Sequence, residues 1–166
     1  MARKSGGGKL MRAALQYLKK ANQRGERHGR MRPWARDHVF KGHIKPGAPT
    51  GSGFHYRPGG QDWPGRRIKT STVTRDPDTG LYQAEVEYFD RSVPPDGAWR
   101  PKSGHGGVST FFPDHWSPSE VDNAVNTAFH RSSPVPGTDR WRGDYRGITI
   151  EGFYHQGGVG HGWPVF

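Results

Sequence analysis

The chain has no cysteine. That excludes both a disulfide framework and a thiolate metal site, so the fold must rest on core packing and is indifferent to redox compartment. Apolar residues are scarce as well, at 31%. No apolar run approaches the ~18–20 residues that a membrane-spanning helix needs, so no membrane role is expected. Acidic residues are almost missing from the first 36 positions, where Glu26 faces eleven lysines and arginines. The start carries basic residues but no long apolar segment, so a Sec-type signal is not expected either. Export would require another route or a larger carrier.

What is abundant is glycine (25) and proline (14) in 166 residues, a balance that favours short strands, turns and loops over a helical bundle. The length fits one domain plus a tail. Residues 37–166 hold fourteen basic and fourteen acidic side chains, so the whole net charge of +10 sits in residues 1–36. A basic arm before a neutral domain can bind polyanions by counterion release without reading sequence. A solvated linker, or a start foreign to the natural chain, has the same composition. The division is therefore read as an arm, residues 1–36, and a domain, residues 37–166.

Within the arm, Lys9–Asn22 carries one helical stripe of Met11, Ala14, Leu15 and Leu18 that could dock on the domain, a partner or RNA. Gln23–Arg36 reads as linker, closed by Arg32-Pro33-Trp34. Gly42–Gly65 reads as loops framing short elements. Ile68–Arg75, the turn sequence Asp76–Gly80 and the alternating Leu81–Phe89 predict a β-hairpin. Val93–Gly107 reads as a Pro/Gly loop. Ser117-Pro118-Ser119-Glu120 is a capping box that launches a helix whose Val121, Ala124, Val125, Ala128 and Phe129 recur at three- and four-residue spacing. Tyr145–His155, a turn at Gly157-Gly158 and Val159–Val165 predict a closing hairpin. The order is an α+β domain with mainly antiparallel sheet packed with one amphipathic helix, behind a basic arm or helix.

Metal-independent cleavage of RNA needs a base for the ribose 2′-OH, an acid for the departing 5′-oxygen and a cation for the phosphorane. Histidine suits both proton roles, since its ordinary pKa of ~6.5 allows one neutral and one charged ring near neutral pH. Nine histidines are present. Local context favours His38, before Val39-Phe40-Lys41-Gly42, and His55, within Gly53-Phe54-His55-Tyr56, because glycine lets backbone approach a phosphate. His43 could partner a metal, but no carboxylate cluster accompanies it, so neither metal nor cofactor is expected.

Asp37-His38-Val39-Phe40-Lys41-Gly42 followed by Gly53-Phe54-His55 resembles the paired-histidine region of EndoU endoribonucleases. Ser109-Thr110-Phe111-Phe112-Pro113-Asp114-His115-Trp116-Ser117 is similar to the STFFPxxWS signature of the bacterial branch, and Gly152-Phe153 through Trp163-Pro164 to the family's closing hairpin. The resemblance implies an EndoU-like fold over residues 37–166, with His38 and His55 as the acid–base pair. It also implies a lysine ahead of the STFFP segment, for which Lys102 is the candidate and His105 the alternative. Ser109, Thr110, His161 and Trp163 fall where the family holds uracil; capping or pairing of backbone is the alternative for Ser109 and Thr110. His161-Gly162-Trp163-Pro164 stands in place of the family's Thr-x-Tyr-Pro: Trp163 can still stack a base, whereas His161 cannot imitate a threonine.

The implied activity is uridine-preferring cleavage of RNA, with tRNA among the candidate targets, to 2′,3′-cyclic phosphate and 5′-hydroxyl ends. The setting implied is an antibacterial toxin, secreted or delivered into the cytoplasm of a target cell and blocked by a cognate immunity protein. The rival readings are an inactive EndoU-fold module that binds RNA or protein, and a metal-dependent nuclease. For single residues, Phe111, Phe112 and Trp116 are expected in the core. Tyr56 and Trp63 are loop anchors or base platforms, and His115 and His130 are structural or exposed.

Overall fold

The structure, a computed structural model, describes residues 6–23 and 31–166. Three helices, α1 (Gly6–Gln23), α2 (Pro33–Phe40) and α3 (Pro118–His130), accompany eleven short strands. These are β1 (His43–Ile44), β2 (Gly51–Ser52), β3 (Arg66–Ile68), β4 (Thr74–Arg75), β5 (Tyr82–Asp90), β6 (Ala98–Pro101), β7 (Val108–Phe111), β8 (Ser133–Pro134), β9 (Arg140–Tyr145), β10 (Ile148–His155) and β11 (Gly158–Pro164). All strand-to-strand pairings among them are antiparallel, so the fold is α+β as expected.

β5 organises the first sheet. Its first half pairs β4 and β7, its second half β3 and β6. Strict alternation buries Tyr82, Ala84, Val86 and Tyr88 and leaves Gln83, Glu85 and Glu87 on the other face. The second sheet runs β11-β10-β9-β8. Against it lies α3, whose N-cap Ser117 accepts from the Glu120 amide at 3.2 Å behind Pro118. Its inward face buries Val121, Ala124, Val125 and Ala128, and Phe129 packs edge-on to Trp141 at 5.5 Å. Phe111, Phe112, Trp116, Tyr56 and Trp63 are all core, so Tyr56 and Trp63 anchor loops and do not offer base platforms.

Several local readings are corrected. Leu15 is 46% exposed, while Ala14 and Leu18 are buried and Tyr17 reaches Asp122. The docked edge of α1 is rotated because the Tyr17 hydroxyl finds a buried carboxylate at 2.7 Å. Residues 33–36, read as linker, are the first turn of α2, and Met31, Ala35 and Arg36 are buried. The reason is an ion pair: Arg36 Nε donates to Asp122 at 3.0 Å and Arg36 Nη2 to the Met31 carbonyl at 2.7 Å. α2 thus crosses the position taken as the edge of the arm. Residues 24–30 of the expected linker lie outside the described residues. The Val93–Gly107 loop contains β6, paired with β5. The first hairpin strand is interrupted by a 3₁₀ turn at Thr70–Thr72.

Candidate active site

α2 ends next to the Gly53–His55 segment, and that junction sets the two histidines. The last turn of a helix leaves carbonyls without partners. Here the Phe54 amide donates to His38 O at 3.0 Å and the His55 amide to Val39 O at 2.7 Å. Arg66 completes the cap by donating to Lys41 O at 2.5 Å and Gly42 O at 3.0 Å. The approach is so close that a Cβ on Gly53 would collide with the His38 carbonyl. Phe54 itself is held at φ +74°, a left-handed conformation costing about 1–3 kcal/mol for a bulky residue. It persists because Phe54 is fully buried, and the Tyr88 hydroxyl and Ser109 Oγ grip the Gly53 and Phe54 carbonyls at 2.6 Å each.

The result is an open cleft of about 620 Å³ lined by His38, His55, Lys102, Thr110, His161 and Trp163, with Gln83 and Phe153 among its other walls. The His38 and His55 rings lie 6.5 Å apart, His161 sits 4.3 Å from His38, and Trp163 stacks near His55 at 6.2 Å and 25°. Alternation in β11 places His161 and Trp163 on one face, toward the cleft. His55 Nδ1 is 2.7 Å from the Thr110 carbonyl. A carbonyl only accepts, so Nδ1 bears the proton and Nε2 keeps its lone pair.

Lys102 follows β6 and bridges to Gly51. Its Nζ donates to Gly53 O at 2.9 Å and to Ser109 Oγ at 3.5 Å, which leaves one of three ammonium protons for the cleft. The Ser103–Gly107 segment turns outward through a run of positive-φ residues, 104 to 107, and carries His105 to the cleft rim, exposed. Ser109 lies beneath the cleft: fully buried, it donates to Phe54 O and lies 3.3 Å from His55 Nδ1. Thr110 Oγ1 and His161 Nδ1 are buried without a hydrogen-bond partner at the cleft.

Every charge acting on these groups is positive. Burial and then His161, His43, Lys102 and Lys45 push His38 down to about 3. Burial, Lys102 and His43 push His161 down to about 4. His55 falls well below its ordinary value through burial, Lys102 and His38, with the Thr110 bond opposing. His43 is lowered by burial, Arg66, Lys45 and Lys102. Lys102 drops to about 8 through burial and Lys45, and so stays mostly protonated at neutral pH.

The structure brings His38, His55, Lys102, Thr110, His161 and Trp163 together, leaves His105 at the rim and puts Ser109 beneath His55 and Lys102. Sequence reasoning missed Gln83, which alternation alone marks as facing away from the core, and Phe153. Among the described residues no three His, Asp or Glu side chains are grouped as metal ligands. No helix of the described residues is long and apolar enough to cross a membrane.

Residues 34–166 match the family model described as bacterial EndoU nuclease. A Bacillus cereus protein named "Toxin" is 30% identical over 124 residues, which cover 74% of this chain and 19% of that protein. The chain therefore spans about a fifth of the length of the curated relative it matches. No solved structure gives a significant match.

Proposed function

The chain belongs to the bacterial EndoU nuclease family, and from that premise we propose that it cleaves RNA without a metal, His55 acting as base, His38 as acid and Lys102 as the phosphorane's counter-charge. The observation that carries this reading is the pair of histidine rings 6.5 Å apart on one cleft that Lys102 also lines. His55 suits the base because its Nδ1 proton is committed to Thr110 O, leaving Nε2 free to take the 2′-OH proton. The 2′-oxygen then bonds to phosphorus, the bond from phosphorus to the 5′-oxygen breaks, and His38 delivers a proton to that leaving oxygen. In the free protein burial, and after it neighbouring cations, keep His38 neutral. The negative charge of a bound phosphodiester offsets them and lets the ring hold the proton it must give.

Lys102 supplies a compact charge in a partly buried site, where it acts more strongly than in water. Ser109, bonded beneath His55 and Lys102, positions both. Trp163 offers a stacking face for the base 5′ of the cut, and Thr110 and His161 line the same cleft with Thr110 Oγ1 and His161 Nδ1 unpaired, atoms that a side-chain rotation would turn toward uracil's two carbonyls and N–H. The biological reading is a toxin domain delivered into a target cell, acting on cytoplasmic RNA such as tRNA and held in check by a cognate immunity protein. The Bacillus cereus relative's name supports the toxin part of that reading.

The test is end-group analysis. In excess EDTA the purified protein is expected to convert a uridine-containing oligoribonucleotide to 2′,3′-cyclic phosphate and 5′-hydroxyl products, with an all-deoxy strand uncut. Loss of cutting in EDTA would point to a metal-dependent nuclease, and no cutting under any condition to a binding module.

A further inference from the structure

Trp34 is placed oddly for a tryptophan. It is 47% exposed, whereas Trp63, Trp116 and Trp141 are buried. The N-terminal turn of α2 holds it behind Pro33, four residues before His38. That i, i+4 spacing puts the indole on the His38 side of the helix, about one turn or 5.4 Å away. It meets His155 edge-on at 5.2 Å and His161 edge-on at 6.1 Å, and His161 in turn lies 5.7 Å from Trp163. An aromatic wall therefore runs from the cleft out to a solvent-facing indole. A strand cut internally must leave the cleft on both sides, and an exposed ring beside its path is a surface on which a neighbouring base can stack.

We propose that Trp34, with His155, forms a second base-stacking subsite, for a nucleotide immediately next to the one whose 2′-OH reacts. The proposal rests on the RNA-cleaving reading above. Trp34 is separated from the Trp163 stacking face by the His161 ring, at 6.1 and 5.7 Å, spacings beyond the ~3.4 Å rise of stacked bases, so the subsite takes an adjacent base that has left its neighbour's stack. The ligand is single-stranded RNA of at least two or three nucleotides. Any base serves, since every base has a π face.

The experiment uses single-stranded deoxyoligonucleotides with one ribouridine to fix the cut, carrying an abasic residue directly 5′ or directly 3′ of it, or no abasic residue. Trp34→Ala is expected to lower kcat/KM roughly ten-fold on the fully based strand, with Trp34→Phe retaining most of the rate. An abasic residue on one flank should cost the wild type a similar factor and Trp34→Ala nothing further. A loss of equal size with and without the abasic residue would mean that Trp34 acts by supporting His161, and would overturn the subsite. So would an unchanged rate on every strand, which would leave the indole to a protein contact.

Fluorescence anisotropy with the all-deoxy strands separates the two readings. If the wild type cuts nothing, the RNA-cleaving reading fails, and the subsite still stands or falls on whether Trp34→Ala weakens binding only where the flanking base is present.

Discussion

Two regions of this molecule bury charge, and they do it in opposite ways. Around Asp122, the carboxylate on α3 takes hydrogen bonds from the Arg36 guanidinium, the Tyr17 hydroxyl and the Met31 amide, and all of α1, α2 and α3 meet there. Arg57 is treated likewise, bonded to Asp62 at 2.7 Å and to the Tyr82 hydroxyl at 3.1 Å, with Asp114 accepting from Tyr82. In the cleft, by contrast, burial first and then neighbouring cations lower the proton affinity of Lys102, His38, His55 and His161, and no carboxylate is among the groups that shift them. A buried ion that is paired within the chain holds the fold together. Buried positive charge that the chain leaves unpaired is a site whose partner arrives with the substrate.

The comparison can be broken by exchanging the consequences. His55→Ala is expected to lower cleavage by ~10²–10⁴-fold and to cost only the ~1–3 kcal/mol of stability that a stranded Thr110 carbonyl represents. Lys102→Ala should cost ~10²–10³-fold, Lys102→Arg should restore little because the guanidinium is larger and planar, and His105→Ala should be nearly silent. Single-turnover rates with denaturant melts read both quantities, and a His55→Ala as destabilised as a broken buried ion pair would place that ring with the structural group. Asp122→Ala should do the reverse. Stranding Arg36 costs about 3–5 kcal/mol of stability, while the folded fraction cuts at close to the wild-type rate. An Asp122→Ala protein of full stability would show the ion pair to be incidental.

The smallest effect sharpens the contrast through pH. Folded His38 and His161 have pKa values lowered to about 3 and about 4, against 6.5 in the unfolded chain. The unfolded chain therefore takes up protons first as pH falls. Stability is complete above about 6.5 and is lost from there down to about 4 for His161 and about 3 for His38, on the order of 1–2 kcal/mol per histidine by pH 5. Urea unfolding at pH 7.5, 6 and 5 should display the slope, and the His38→Ala, His161→Ala double variant should lessen it, with His55 and His43 supplying what remains. A slope that both substitutions leave undiminished would assign it elsewhere.

What the sequence made legible was local. The capping box at Ser117, the alternation of β5 and the last hairpin depend on neighbours a few residues apart, and each stands in the structure. β9 escaped notice because Gly143 interrupts its alternation of Trp141 and Tyr145. That glycine is needed, since a Cβ there would collide with the Ala128 carbonyl of α3. β6 is four residues long and ends at Pro101, too short for periodicity to register. In the site, glycine context drew out His38 and His55 because a turn signal and a functional residue coincide. Trp34 was hidden by reading Arg32-Pro33-Trp34 as the end of a linker. Its relation to His38 exists only once Pro33–Phe40 is a helix, and that helix is secured by Asp122, 86 residues beyond Arg36.

The central claim is that the cleft holds positive charge which a nucleic-acid phosphate completes. NMR titration of the histidine rings tests it directly, in the free protein and in the protein saturated with an uncleavable all-deoxy uridine strand. In the free protein His38 and His161 should stay neutral well below pH 6, and on binding both should titrate at higher pH, moving back toward 6.5. Rings that already titrate near 6.5 in the free protein, or that do not shift when the strand binds, would contradict the account.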